Sequence, residues 1–557
     1  MSSADTNRES LLALPHVIAV RAGYKFVNGQ ITDTAAVVVS VDRKLDGLDP
    51  GELVPATLPD GTPTDVTIAD PIERLAAAGQ LEVVERVAAA APAPLLIDQV
   101  QGARDGGLHD EAVELELVPP ITYTPPPGAS LAPVTGAMAI TCNVSPDAGW
   151  RVLRGFLRVA NDKVTLGMYD FTAPHVYRAV RRLLRDTQVT WRQTLGPHES
   201  LPSEDDINSP KADDKTEASI IKGLTSVAPD RFESAFAKVG KGQTFASAYH
   251  IKVAVRDGTA TWLSSGNWQS SNQPVIDFLS DDAELDLMRD YNREWHAVVE
   301  HAGLAATFER YLTHDFETAH AVDEGVVPPA PILPELLMPP ADALTLEAPP
   351  VPLDVFRPER FEYGAADPLT IQPILTPDNY LEIVLELLRH RPVKRLYFQN
   401  QSLNPVLEPT PAWAELLGLL ASYSRDPDLD VRIIFRNIGP IRKKLESLKL
   451  AGFDMSRVRS QVGCHTKGIV IDSKTVLLGS HNWTDQGVQV NRDASLLIHR
   501  PEIAAYYERV FLHDWDRLAQ TTINEAAMPV PLLTDEAVGP ASEPGFERAP
   551  WSAWEDE

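Results

Sequence analysis

The sequence predicts an α/β protein made of two copies of one structural unit behind a small mixed α/β domain. Three observations predict it. The order helix, strand, helix, strand occurs twice; the C-terminal ends of the two stretches match residue by residue; and a proline-dense segment separates them.

The first domain is assigned to residues 1–87. Val17-Ile-Ala-Val, Tyr24-Lys-Phe-Val, Asn28-Gly29 and Ala35-Ala-Val-Val-Val-Ser-Val read as a hairpin with an Asn-Gly turn. It contains no nucleophile-base constellation, and no role follows from it. Residues 88–137, rich in Ala, Pro and acidic side chains, read as a linker. Residues 138–318 then alternate: helix at Trp150 to Val159, strand at Val164 to Met168, helix at Pro174 to Arg185, strand at Val189 to Leu195. Residues 319–370 form a second linker, because ten prolines between 328 and 358 exclude helix and central strand alike. In residues 371–527 the order returns, with helices at Tyr380 to His390 and Ala412 to Ser424 and strands at Val393 to Asn400 and Val431 to Asn437. The acidic, Pro-rich tail 528–557 is expected to be disordered.

The repeat has a register. Ala305-Ala-Thr-Phe-Glu-Arg-Tyr-Leu-Thr-His-Asp-Phe aligns with Ala504-Ala-Tyr-Tyr-Glu-Arg-Val-Phe-Leu-His-Asp-Trp at an offset of 199, with six of twelve positions identical, and the same offset joins Asn292-Arg293-Glu294 to Asn491-Arg492-Asp493. Two copies of one unit explain this better than coincidence.

Bulk properties narrow the function. A chain of 557 residues with a formal net charge of −28 repels polyanions at long range, so an anionic substrate must be captured locally. The only cysteines, Cys142 and Cys464, have no zinc spacing and no disulfide framework. No stretch is long and apolar enough for a membrane span, and the polar start lacks a secretion signal, so the expected location is the cytoplasm. No metal site and no cofactor-binding motif is found.

The chemistry lies in a duplicated motif. The second copy reads His465-x-Lys467, four residues, Asp472, six residues, then Gly479-Ser480-His481-Asn482; the first reads His250-x-Lys252, four residues, Asp257, six residues, then Ser264-Ser265-Gly266-Asn267. On a strand, alternate side chains face one way about 7 Å apart, so an imidazole and an ammonium can meet one phosphate. Asp257 and Asp472 supply turn chemistry, and the returning strand brings Ser265/Asn267 and Ser480/Asn482 back beside the His-Lys strand. A phosphodiester needs neutralised oxygens, a nucleophile and an acid for the leaving alkoxide; two half-sites offer two Lys, two Asn and two His.

These motifs resemble those of the phospholipase D superfamily, the first copy departing from the pattern at Ser264, where the family has Gly. The resemblance spans roughly residues 138–520. It implies two α/β/α units about a pseudo-two-fold axis, both His-Lys strands facing one cleft, and a metal-independent, cofactor-free phosphohistidine mechanism. His250 is then expected as nucleophile and His465 as acid/base, an order that the residues themselves leave open. Lys252, Lys467, Asn267 and Asn482 complete the catalytic set, Ser265 and Ser480 contact substrate, and Glu294 and Asp493 resemble the acidic residues that orient the histidines. Asp257 and Asp472 are structural. Trp268 and Trp483, after each Asn, are assigned to the core, and Cys464 has Tyr249 in its place in the first copy and is left out of the chemistry.

The expected activity is hydrolysis or transfer of phospholipid head groups by a monomer. One rival is a DNA or RNA endonuclease whose groove is lined by the basic stretches Arg436 to Arg459 and Arg178 to Arg192; another is an inactive phosphate-binding module. One local feature favours lipid: the segment from Asn267 to Asn292 is 16 residues longer than its counterpart from Asn482 to Asn491 (25 against 9). It is expected to form a lid whose Ile276, Phe278 and Leu279 meet an acyl chain and whose Asp281-Asp-Ala-Glu run repels nucleic acid.

Overall fold

Helix α1 (Ser3–Leu12) starts under a capping box in which Ser2 and Asp5 each accept the other's backbone N–H. Strands β1 (Val17–Val27) and β2 (Gln30–Val41) pair antiparallel around Asn28-Gly29, both at positive φ as a two-residue hairpin turn requires, and β3 (Thr64–Ile68) adds parallel to β2. The computed structural model describes residues 2–44, 48–49, 51–70, 73–74, 77, 122–197, 216–240, 242–280, 283–320, 353–406, 409–437 and 441–523. Most of both linkers and the tail 528–557 lie outside the described residues.

The first repeat runs β4 (Val134–Gly136), β5 (Met138–Ser145), α2 (Gly149–Arg158), β6 (Lys163–Met168), α3 (Pro174–Asp186), β7 (Thr190–Leu195), α4 (Glu217–Thr225), β8 (Phe232–Phe236), β9 (Lys252–Arg256), β10 (Ala260–Ser264), β11 (Glu294–Glu300) and α5 (Ala302–His320). The second runs β12 (Glu359–Tyr363), β13 (Leu369–Leu375), α6 (Tyr380–Arg389), β14 (Arg395–Asn400), α7 (Pro411–Ser424), β15 (Asp430–Arg436), α8 (Ile441–Leu450), β16 (Val458–Gln461), β17 (Lys467–Ile471), β18 (Thr475–Gly479), β19 (Ala494–His499) and α9 (Pro501–Arg517). Helices α3, α7 and α9 begin with proline in the first turn, where a missing N–H costs nothing.

Two eight-stranded mixed sheets result among the described residues, ordered β12-β5-β11-β10-β9-β6-β7-β8 and β4-β13-β19-β18-β17-β14-β15-β16. The orders correspond strand for strand, and each edge strand is exchanged: β12 leads into the second repeat but pairs with β5, while β4 leads into the first but pairs with β13. This corrects the reading of residues 88–137 and 319–370 as extended linkers throughout. Their final segments are ordered because each covers a sheet edge that would otherwise stand unpaired.

One apolar core spans the repeats and holds Leu304, Phe308 and Leu312 of α5 together with Tyr507, Val510 and Phe511 of α9. The approach is tight: a Cβ on Gly468 would lie 2.3 Å from the Trp295 ring. Trp268 packs with Phe171, Trp191 and Trp262, and Trp483 with Phe398 and Trp413, so both are core residues.

The N-terminal sheet covers α8. Phe26 enters the second repeat's core, Arg442 lies over the Phe26 ring and pairs with Asp65, Lys443 pairs with Asp70 at 2.5 Å, and Arg21 reaches Glu446 at 2.5 Å. Within α8, Arg442, Lys443 and Lys449 thus have acidic partners in the N-terminal domain, which weakens the support this helix lent to an endonuclease.

Candidate active site

Both His-x-Lys motifs end up buried between the repeats, with His250, Lys252, His465 and Lys467 each at most 5% exposed. Expectation and structure differ in the placement of the histidines. Strands β9 and β17 start at the lysines, and the histidines precede them, because residues 248–250 and 463–465 leave their own sheet for the other repeat. The Arg492 N–H donates to the Ala248 carbonyl at 2.7 Å, and the Arg293 N–H to the Gly463 carbonyl at 2.7 Å. These reciprocal bridges, Tyr249 with Arg492 and Cys464 with Arg293, are what a pseudo-two-fold axis demands.

The bridges place each acidic residue beside the opposite histidine. His250 Nδ1 lies 2.8 Å from Asp493 Oδ1, and His465 Nδ1 lies 2.5 Å from Glu294 Oε1. Ser265 donates to Glu294, and Ser480 donates to Asp493 at 2.5 Å. Both serines, expected to contact substrate, serve the carboxylates in this structure: a buried carboxylate needs donors, and the hydroxyls supply them. Lys252 Nζ donates to the His250 carbonyl at 2.8 Å; Lys467 Nζ donates to the Ser265 carbonyl at 3.1 Å and lies 3.2 Å from both ring nitrogens of His465. Asn267 Nδ2 donates to Asp170 and Gln269 at 3.2 and 3.0 Å, while the buried Oδ1 atoms of Asn267 and Asn482 accept no bond from the described residues.

Asp257 and Asp472 stand away from this centre, at the far ends of β9 and β17. Each sits at φ 53 and accepts three successive backbone N–H groups, of residues 161–163 and 393–395. They tie the β9–β10 and β17–β18 turns to the neighbouring strand.

The electrostatics of the two half-sites differ. Burial, helped by Lys252 and opposed by Asp493, lowers the His250 imidazole to about 4. Burial and the charges of Lys467 and Arg436 hold His465 well below its usual value. For Asp493, burial works against the charge, yet its pairing with His250 and the nearby Lys252 keep the carboxyl below the ordinary range. For Glu294 burial prevails over Lys467, Ser265 and Lys252 and pushes it up to about 7. Burial also raises the Cys464 thiol to about 12, which leaves it inert as a nucleophile at neutral pH.

The bridges themselves depend on residues the motif reading passed over. Buried Arg293 pairs with Asp147 and, at 3.0 Å, with Asp514; buried Arg492 pairs with Asp315 and Asp378, both at 2.8 Å. Asp315 and Asp514 belong to the matched His-Asp of the 199-residue offset, so the signal was present in the sequence. The Ser264 departure also has an explanation. Ser264 Oγ bonds His296 Nδ1 at 2.7 Å behind the first half-site; in the second, His481 Nδ1 bonds Ser495 Oγ at 2.7 Å, and a Cβ on Gly479 would lie 2.0 Å from that hydroxyl.

Residues 416–515 match the family model described as cardiolipin synthase, PLD-like domain. That stretch is similar to a phospholipase D-like domain. Over 116 residues it is 31% identical to the mitochondrial cardiolipin hydrolase of Xenopus laevis, a match covering 19% of this chain and 51% of that protein, so the chain spans about half the length of this curated relative. Among solved structures, phosphatidylserine synthase of Haemophilus influenzae Rd KW20 is similar at 11% identity and a TM-score of 0.41, over 68% of this chain and 86% of that one. Nuc from Salmonella typhimurium, a phospholipase D family member, is similar at 17% identity and a TM-score of 0.22, over 27% and 97%. The phospholipase D resemblance read from the motifs agrees with the family-model match and the curated relative.

The segment expected as a lid is corrected in part. Phe278 is buried and packs with Met288, Tyr291 and Leu353, and Ile276 is half-buried against the same cluster, so this apolar side faces inward. Asp281 and Asp282 lie outside the described residues. Val275 remains 54% exposed.

Proposed function

We propose that the chain is a metal-independent phosphodiesterase of phospholipase D type that hydrolyses or transfers phospholipid head groups through a phosphohistidine. The crossed pairing of the half-sites carries this reading: each histidine is oriented by a carboxylate of the other repeat, and both share one buried centre with two lysines. His250 Nε2 attacks phosphorus, since a neutral imidazole whose Nδ1–H is held by ionised Asp493 presents a lone pair at Nε2. His465 Nε2 protonates the leaving alkoxide while Glu294, which retains a proton up to about pH 7, resupplies the ring at Nδ1. In the second half, His465 takes a proton from water, whose oxygen attacks the phosphohistidine, and Glu294 is reprotonated; an alcohol in place of water gives transfer. Lys252 and Lys467 neutralise the non-bridging oxygens, with Asn267 and Asn482 beside them.

One chain supplies both half-sites, which supports function as a monomer, with the repeats at 138–318 and 371–527 as its units. No described helix is long and apolar enough to cross a membrane. The relative named as a cardiolipin hydrolase favours a phospholipid substrate over nucleic acid. Assays on mixed phospholipids, plasmid and single-stranded DNA, all with EDTA, test the reading. Head-group release that survives the chelator is expected; loss in EDTA restored by Mg²⁺ or Zn²⁺ refutes the mechanism, and DNA cleavage without lipid turnover refutes the substrate.

A further inference from the structure

Helices α2 and α3 pack side by side on the outside of the first repeat. Helix α2 buries Leu153, Phe156 and Leu157 and exposes Arg151, Arg154 and Arg158; α3 buries Val176, Val180, Leu183 and Leu184 and exposes Arg178, Arg181, Arg182 and Arg185. The spacings i, i+3, i+7 and i, i+3, i+4, i+7 place each set in one stripe about 10 Å long. Seven arginines thus share a two-helix face with a single acidic residue, Asp186, in a chain whose formal net charge is −28.

The fold does not require this charge. The corresponding helices of the second repeat carry Glu382, Glu386 and Arg389 on α6 and Glu415 on α7. Nor do internal ion pairs account for it: among the described residues no carboxylate lies within salt-bridge distance of Arg154, Arg158, Arg178 or Arg181, and Arg182 and Arg185 share Asp186. The N-terminal ends of both helices lie beside residues packed behind the first half-site. A Cβ on Gly149, the first residue of α2, would lie 2.8 Å from His296 Nε2; His175 of α3 bonds the Gln273 carbonyl at 2.7 Å; and Arg151 reaches Asp277 at 3.4 Å in the segment that carries exposed Val275. Val159, 53% exposed, ends α2.

We infer that the α2–α3 face docks the protein on a bilayer containing anionic phospholipid. Guanidinium groups bind phosphate oxygens in pairs, and two parallel stripes with exposed valines at their margins form a broad patch that suits a lipid surface better than a nucleic-acid groove. The remaining negative charge does not prevent docking, because charges more than about 10 Å from the contact are screened near 0.1 M salt. The inference rests on a surface outside the active site and does not depend on the phosphodiesterase reading.

The test is co-sedimentation of the full chain with phosphatidylcholine vesicles and with mixed phosphatidylcholine and phosphatidylglycerol vesicles, beside a labelled DNA duplex at the same ionic strength. Binding to the anionic vesicles alone, weakened by salt, is expected. The triple variant Arg154→Glu, Arg181→Glu, Arg185→Glu should lower that partition on the order of a hundredfold or more and leave hydrolysis of soluble bis(p-nitrophenyl) phosphate unchanged. Equal binding to both vesicles, an unaffected triple variant, or tighter binding to the duplex through the same arginines overturns the inference. Anionic-vesicle binding by a protein that cleaves no diester would uphold it while the catalytic reading fails.

Discussion

The two half-sites have the same backbone plan and opposite proton affinities. Asp493 faces His250 and stays ionised; Glu294 faces His465 and keeps its proton up to about pH 7. Both carboxylates are fully buried and bonded by a serine, so burial and serine do not separate them. What differs is how far each one's cationic neighbours offset the burial. A duplicated scaffold can thus hold one imidazole ready to attack and keep the other supplied with a proton.

The largest effects should come from the histidines. His250→Ala and His465→Ala are each expected to lower turnover of a natural alkyl diester about a thousandfold or more, with the double variant little worse, because groups acting as a unit are not additive. With bis(p-nitrophenyl) phosphate, whose leaving group needs no acid, His465→Ala should still form a phosphorylated enzyme, trapped in an alkaline denaturing quench, and His250→Ala should not. Labelling in the reverse pattern would exchange the roles.

The carboxylates should come next. Asp493→Asn should slow both kinds of diester about a hundredfold, by disturbing the tautomer and orientation of His250. Glu294→Gln should slow the alkyl diester to a similar extent and the p-nitrophenyl diester less than about tenfold, since only the former needs the proton. Equal losses on both substrates would remove the distinction between the half-sites.

A smaller effect lies in the pH profile. With the alkyl diester, kcat/KM should decline above about pH 7 as Glu294 loses its proton, and Glu294→Gln should abolish that limb. A wild-type profile flat through pH 8 would contradict the assigned proton donor.

The smallest effect is on stability. The folded pKa of Glu294 lies above its ordinary 4.5, so between 4.5 and about 7 the native state keeps a proton that the unfolded chain has released. Stability then falls as pH rises through that window. Glu294→Gln lacks this dependence, and its Tm should gain several degrees on wild type between pH 5 and pH 7.5. A constant difference in Tm would mean that Glu294 is ionised throughout.

Local chemistry is what the residues alone determined. Helices and strands follow from apolar period and turn signals, and α2, α3, α6 and α7 lie within about two residues of expectation because each carries its own buried stripe, with a proline also marking the start of α3 and α7. His250, Lys252, His465, Lys467 and the asparagines were legible because two spacings agree; Asp257 and Asp472 were legible as turn residues, but the backbone they bond, residues 161–163 and 393–395, lies far off in the chain. Tertiary structure decided everything that depends on which surfaces meet. The exchange of β4 and β12, the pairing of each histidine with the other repeat's carboxylate, the turn of Ser265 and Ser480 onto those carboxylates, and the covering of α8 by the N-terminal sheet all join residues far apart in the chain. A sequence pattern reports the faces of single elements; the proton affinity of a buried group depends on the charges and dielectric that assembly places around it.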